Sequence, residues 1–126
     1  MSLKRILYIE DDPDIRLVVT MVLQARGITV DSHPNSQSAL DTAPQIPPDL
    51  ILLDITMPQK NGFETLTELR GLKGYGNVPA VFLTARIDIN HEILEPFQPI
   101  AVITKPFEPA HFKTELDSIY QSFLSK

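Results

Sequence analysis

Four aliphatic runs in this chain each lead into a residue able to do chemistry. Ile6-Leu7-Tyr8-Ile9 is followed by Glu10, Asp11 and Asp12, Leu50-Ile51-Leu52-Leu53 by Asp54, Val81-Phe82-Leu83 by Thr84, and Ile103-Thr104 by Lys105 and Pro106. Carboxylates gathered at one place raise one another's pKa, because neighbouring like charges disfavour ionisation, so such a cluster calls for a cation. An all-oxygen ligand set on a rigid scaffold suits magnesium, which keeps several waters and takes only one or two carboxylates directly. Asp54 fits three roles there: metal ligand, general base or nucleophile. Attack by its carboxylate on phosphorus would form an acyl phosphate, a reaction in which positioning and charge stabilisation dominate. Lys105 supplies a cation and Thr84 a hydroxyl, with backbone N–H groups after Asp54 and Thr84 as further donors to phosphoryl oxygens. Each residue also has an ordinary structural role open to it: Asp12 as a helix cap, Asp54 as a loop-forming acid, Lys105 as a surface cation, Thr84 as a strand threonine. Their joint placement at strand ends favours chemistry.

That placement depends on strands. Short β-branched or aliphatic runs at Arg5 to Ile9, Ile28 to Val30, Asp49 to Leu53, Val78 to Thr84 and Ile100 to Thr104 alternate with helical patterns, which predicts βαβ units around a parallel sheet covered on both faces. Asp12 before Pro13 reads as an N-cap followed by proline at the first helical position. Ile15, Val18, Val19, Val22 and Leu23 then form an amphipathic stripe that Gly27 stops. A short second helix spans Ser36 to Thr42, cut off by Pro44, Pro47 and Pro48. The third covers about Phe63 to Leu72 and the fourth about Asp88 to Glu95, ended by Pro96 and Pro99. The fifth starts near Pro109 and puts Phe112, Leu116, Ile119, Tyr120 and Phe123 on one face. The expected architecture is a doubly wound α/β domain over residues 1–126, with a five-stranded parallel sheet in the order 2-1-3-4-5 and five helices on both faces. In that order the winding reverses between the first and third strands, which sets Glu10, Asp11 and Asp54 at one crevice.

The composition narrows the possibilities further. A formal charge of −5 argues against a broad phosphate-backbone footprint, so direct nucleic-acid binding is not expected. Without cysteine there is no thiolate chemistry, and with no apolar stretch approaching the roughly 20 residues of a membrane span and no signal-peptide core, a cytoplasmic protein is the default. Met1-Ser2-Leu3 reads in part as a cloning remnant.

Taken together, the four segments resemble the receiver domain of two-component response regulators over essentially the whole chain. Ile6-Leu7-Tyr8-Ile9-Glu10-Asp11-Asp12 is similar to the family's first strand and acid pair, and Leu52-Leu53-Asp54-Ile55-Thr56-Met57-Pro58 with Asn61-Gly62 to its phosphoacceptor loop. Leu83-Thr84-Ala85 resembles its switch threonine and Thr104-Lys105-Pro106-Phe107 its lysine loop. The resemblance implies that Asp54 accepts a phosphoryl group from a histidine of a sensor kinase or histidine phosphotransfer protein. It implies Mg2+ held by Asp11, Asp54 and the Thr56 backbone carbonyl, with Glu10 acting through water. It further implies that Lys105 and Thr84 bind the phosphoryl oxygens, and that the domain signals rather than turning over a substrate. The resemblance also implies a downstream protein or a missing effector domain as the listener and leaves a homodimer open, although the face of the fourth helix, fifth strand and fifth helix, a frequent partner and dimer surface in the family, is atypical here. A Lys105-Pro106 cis bond would hold the ammonium toward the carboxylates.

Departures from the family pattern are equally specific. Val102 stands where an aromatic residue is usual, and Glu95-Pro96-Phe97-Gln98-Pro99-Ile100 should shorten the fourth helix and stiffen its exit. Thr56 and Arg86, each two residues past its motif residue, should border the phosphorylation site. Two other readings stand beside the main one: a receiver-like binding module that does not use phosphorylation, and an aspartyl-nucleophile phosphatase. The second wants a carboxylate two residues beyond the nucleophile, where Thr56 stands. A nucleotide- or flavin-binding domain is less compatible still, since Glu10-Asp11-Asp12-Pro13-Asp14 is acidic and lacks glycine.

Overall fold

The computed structural model describes residues 3–126, so most of the expected cloning remnant, Met1 and Ser2, lies outside the described residues. Five strands, β1 (Arg5–Ile9), β2 (Thr29–His33), β3 (Leu50–Leu53), β4 (Ala80–Thr84) and β5 (Ala101–Thr104), pair in parallel in the order β2-β1-β3-β4-β5. The helices are α1 (Pro13–Gln24), α2 (Ser36–Thr42), α3 (Gly62–Arg70), α4 (His91–Leu94) and α5 (Pro109–Leu124). Fold class and strand order are those expected.

Two cores lie on opposite faces of the sheet, as continuous apolar strands buried on both sides require. On one face Ile6, Tyr8, Leu50, Leu52, Val81, Leu83 and Ile103 pack with Val19 and Leu23 of α1 and Phe112, Leu116 and Tyr120 of α5. On the other, Leu7, Ile9, Ile51, Leu53, Ala80 and Phe82 pack with Ala39 of α2 and Leu66 and Leu69 of α3. The central strands β1 and β3 are therefore immobilised from above and below, and the residues at their ends inherit that rigidity.

The differences from expectation are local. β2 runs past Val30 through Asp31, Ser32 and His33, because as an edge strand it needs only one hydrogen-bonded neighbour and tolerates polar side chains. Val18 belongs to the expected stripe but is 41% exposed, since α1 turns Val19 and Leu23 fully inward and leaves Val18 at the border of that face. α3 stops at Arg70, earlier than Leu72, with Gly71 at its C-cap. α4 is shortened, as the proline-rich exit leads one to expect, but further than the span Asp88 to Glu95: four residues remain, continued by a single 3-10 turn, Glu95–Phe97. Asn90 caps its start by accepting the Ile93 N–H, so the helix begins at His91 rather than near Asp88. At its exit Pro96 and Pro99 lack the N–H that would continue the ladder.

Candidate functional site

The carboxyl ends of β1, β3, β4 and β5 converge on one edge of the sheet. At the end of β1, the Glu10 N–H donates to the His33 carbonyl at 3.0 Å, which keeps Glu10 in register with the edge strand. Asp12 then leaves the sheet and caps α1, accepting the Asp14 and Ile15 N–H groups at 2.9 and 3.1 Å. One turn into α1, Arg16 Nη1 donates to the Glu10 carbonyl at 2.7 Å. Glu10 is thereby turned inward and fully buried, while Asp11 stays exposed.

Asp54 is pinned through its own N–H, which donates to the Ile9 carbonyl at 3.1 Å, and its side chain is buried. Oδ1 accepts the Thr56 N–H at 3.2 Å, and Oδ2 accepts from Lys105 Nζ at 3.1 Å. The loop beyond returns sharply: the Gly62 N–H donates to the Ile55 carbonyl at 2.7 Å, and a Cβ at position 62 would fall 2.3 Å from the Asp54 carbonyl oxygen. Only glycine lets the start of α3 press this closely on the backbone of Asp54. Asn61 and Glu64 close a reciprocal capping box that fixes the same turn.

Lys105 arrives from β5. Its N–H donates to the Thr84 carbonyl at 2.8 Å, and the bond to Pro106 is cis. Its ammonium lies 2.7 Å from Glu10 Oε1 and 3.1 Å from Asp54 Oδ2. Thr84 is buried at the same edge, but its hydroxyl accepts the Arg86 N–H at 3.1 Å and stands apart from the ionic cluster. The Arg86 guanidinium is engaged by Asp88, at 2.9 and 2.6 Å, within its own loop.

Electrostatics follow from burial. Removal from water pushes the Glu10 carboxyl up; Lys105 pulls it back, nearby Asp54 pushes it further, and the result is about 7. Burial opposes the charge on Lys105, yet its hydrogen bond to Glu10 and the attraction of Glu10 and Asp54 outweigh that and hold its pKa above the ordinary lysine value. Carboxylate oxygens of Glu10, Asp11 and Asp54 all lie within 4.8 Å of one another. Three acids against one ammonium leave room for a further cation, and a purely oxygen donor set fits a hard divalent ion.

Glu10, Asp11, Asp54 and Lys105 are thus brought together, Thr56 adjoins through its N–H, and Thr84 joins through its carbonyl, which accepts the Lys105 N–H. Arg16 and Gly62 also shape the site, although the sequence reading did not assign them this part. Asn61-Gly62 was visible as a turn, but the contact that requires glycine is with a residue eight positions earlier.

The family model for the response regulator receiver domain matches residues 6–117. The chain is 31% identical over 124 residues to the transcriptional regulatory protein RprY of Bacteroides fragilis, covering 97% of this chain and 51% of that protein. With the response regulator Rre1 of Synechocystis it shares 32% identity, covering 96% and 52%. The chain therefore spans about half the length of these curated relatives. The structure resembles chemotaxis response regulator CheY4 of Vibrio cholerae, with a TM-score of 0.83, 25% identity, and 94% and 99% of the two chains covered. It also resembles TrrA of Thermotoga maritima, solved in complex with Mg(2+)-BeF, with a TM-score of 0.76, 29% identity and coverage of 93% and 99%. Shared strand order, a family match across most of the chain and these relatives agree: the chain belongs to the response regulator receiver domain family of two-component signalling.

Proposed function

We propose that Asp54 is the phosphoacceptor, taking a phosphoryl group from a histidine of a sensor kinase or histidine phosphotransfer protein. The observation that carries this reading is the Lys105 ammonium held 2.7 and 3.1 Å from two buried carboxylates, Glu10 and Asp54. An Asp54 oxygen forms the bond to phosphorus while the bond from phosphorus to the donor's imidazole nitrogen breaks, its electron pair leaving with the imidazole. Lys105 stays paired with acids before transfer and turns to the phosphoryl oxygens afterwards. The Thr84 hydroxyl, whose oxygen accepts the Arg86 N–H, donates its own proton to a phosphoryl oxygen, which draws its loop inward. Asp11, Asp54 and the Thr56 carbonyl would hold Mg2+ directly, with Glu10 acting through water; bound there, the ion neutralises charge on the transferring group. The complex of TrrA with Mg(2+)-BeF supports the same use of this chain's acids.

Residues 1–126 form one receiver domain in this reading, acting in the cytoplasm. Its output passes to a docked protein, to a second copy of the chain, or to an effector of the kind that RprY's description as a transcriptional regulator suggests. The assay is an amide NMR spectrum with Mg2+ and beryllofluoride or a small phosphodonor. Wild type shifts at Thr56, Thr84 and Ala85, and Asp54→Asn shifts at none of them. An unchanged wild-type spectrum overturns the proposal.

A further inference from the structure

Three phenylalanines from three different elements form a continuous column under the site. The Phe63 ring meets the Phe82 ring edge-on, with centroids 5.2 Å apart at 77°, and stacks on the Phe97 ring at 4.5 Å and 19°. Each end of the Phe63–Phe82 contact is tied to a different part of the site. Phe63 follows Gly62, whose backbone is pressed against the Asp54 carbonyl and bonded to Ile55. Phe82 lies two residues before Thr84 on β4, and pairs in register with Leu53, the residue before Asp54. A backbone shift at the Asp54 loop and an inward pull at Thr84 therefore both reach the same ring pair.

The column's third ring leads away from the site. Phe97 closes the 3-10 turn that continues α4, and its carbonyl accepts from Arg70 Nη1 at the end of α3. The next residue, Gln98, stands in the left-handed region at φ 47°, ψ 53°, which non-glycine residues rarely adopt, so the surrounding contacts hold the turn in place. On β5, Val102 pairs in register with Phe82 and packs against the same core without an aromatic ring of its own. The only rings linking α3 and β4 to the α4–β5 connection, among the described residues, are those of this column.

We propose that the Phe82–Phe63–Phe97 column carries the phosphorylation state from the Asp54 and Thr84 loops to α4, the 3-10 turn and the start of β5. Phe97 is a positioning residue in this device, acting through Phe63, and touches none of the reacting groups. Packed cores are bistable and transmit small displacements, and a stacked ring pair has few alternative arrangements. Segment 91–104 is thus the moving output, with Arg70 as the clasp that holds it in the state described here.

The inference rests on Asp54 being the phosphoacceptor, and one titration separates the two. Amide shifts of the full chain are followed on adding beryllofluoride with Mg2+, in wild type, Phe97→Leu and Phe97→Tyr. In wild type, shifts appear both at Thr56, Thr84 and Ala85 and across 91–104. Phe97→Leu keeps the first set at nearly wild-type ligand affinity and loses at least about half the amplitude of the second, whereas Phe97→Tyr, which keeps a ring in the stack, retains both. If Phe97→Leu is poorly folded, the same split is read from Phe63→Leu. A wild-type protein that responds at Thr84 but not across 91–104, or a Phe97→Leu response equal to wild type in both sets, overturns the column's role. Absence of any wild-type response overturns the phosphoacceptor reading instead.

Discussion

Glu10→Gln offers the most direct test of the electrostatics. Glu10 is fully buried, and its carboxyl is displaced from 4.5 to about 7, chiefly by loss of water. Between those values the folded protein holds a proton that the unfolded chain has released, so folding stability falls as pH rises through this window. At about 1.4 kcal/mol per pH unit, the loss attributable to Glu10 is about 3 kcal/mol by pH 8. With an m-value of about 1.5 kcal/mol/M, this is a midpoint shift of about 2 M urea. Glutamine preserves the shape and cannot titrate. Urea unfolding of wild type and Glu10→Gln in EDTA, at pH steps from 4.5 to 8, should show a wild-type curve falling relative to the variant by about that amount, the background from other groups being common to both. Mg2+ at about 100 times its dissociation constant returns about 2.7 kcal/mol to wild type, mostly above pH 7 where the carboxylate is ionised. Parallel pH profiles in EDTA would refute the claim that burial of Glu10 stores this energy. A magnesium effect of equal size at pH 5 and pH 8 would refute its link to ionisation.

Gly62→Ala would drive a methyl group to 2.3 Å from the Asp54 carbonyl oxygen, so unfolding experiments should show a loss of about 2–4 kcal/mol together with a displaced Asp54 loop. Asp12→Ala removes the α1 cap and should cost about 1 kcal/mol of stability while leaving magnesium affinity, measured by calorimetry, close to wild type. Asp11→Ala should reverse that pattern, with little stability loss from an exposed position and magnesium affinity reduced at least about tenfold. Lys105→Met leaves Glu10 and Asp54 facing each other without their cation. It should lower metal-free stability at pH 8 by about 3 kcal/mol and slow phosphotransfer about 100-fold, as read by radiolabel transfer from a small phosphodonor.

Most of the site was readable from local pattern, because a parallel sheet converts one-dimensional order into position. Aliphatic runs of four or five residues become buried strands, parallel pairing puts the residues just beyond each run on a shared edge, and the order 2-1-3-4-5 expected of the fold family sets β1 beside β3. Glu10, Asp11, Asp54, Thr84 and Lys105 followed from that alone, as did the Asp12 cap, a contact spanning only three residues. Packing between distant segments decided the rest. Val18 satisfied the helical spacing of α1, yet its exposure depends on where the helix meets the sheet and α5. β2 continued through polar residues because β1 offered hydrogen bonds along its whole length. The need for glycine at position 62, the inward turn of Glu10 toward Lys105 and the stack of Phe97 on Phe63 join residues 8, 95 and 34 positions apart. Periodicity records which face a side chain prefers, and only the folded backbone determines which partner from a remote segment it meets there, with what charge and at what distance.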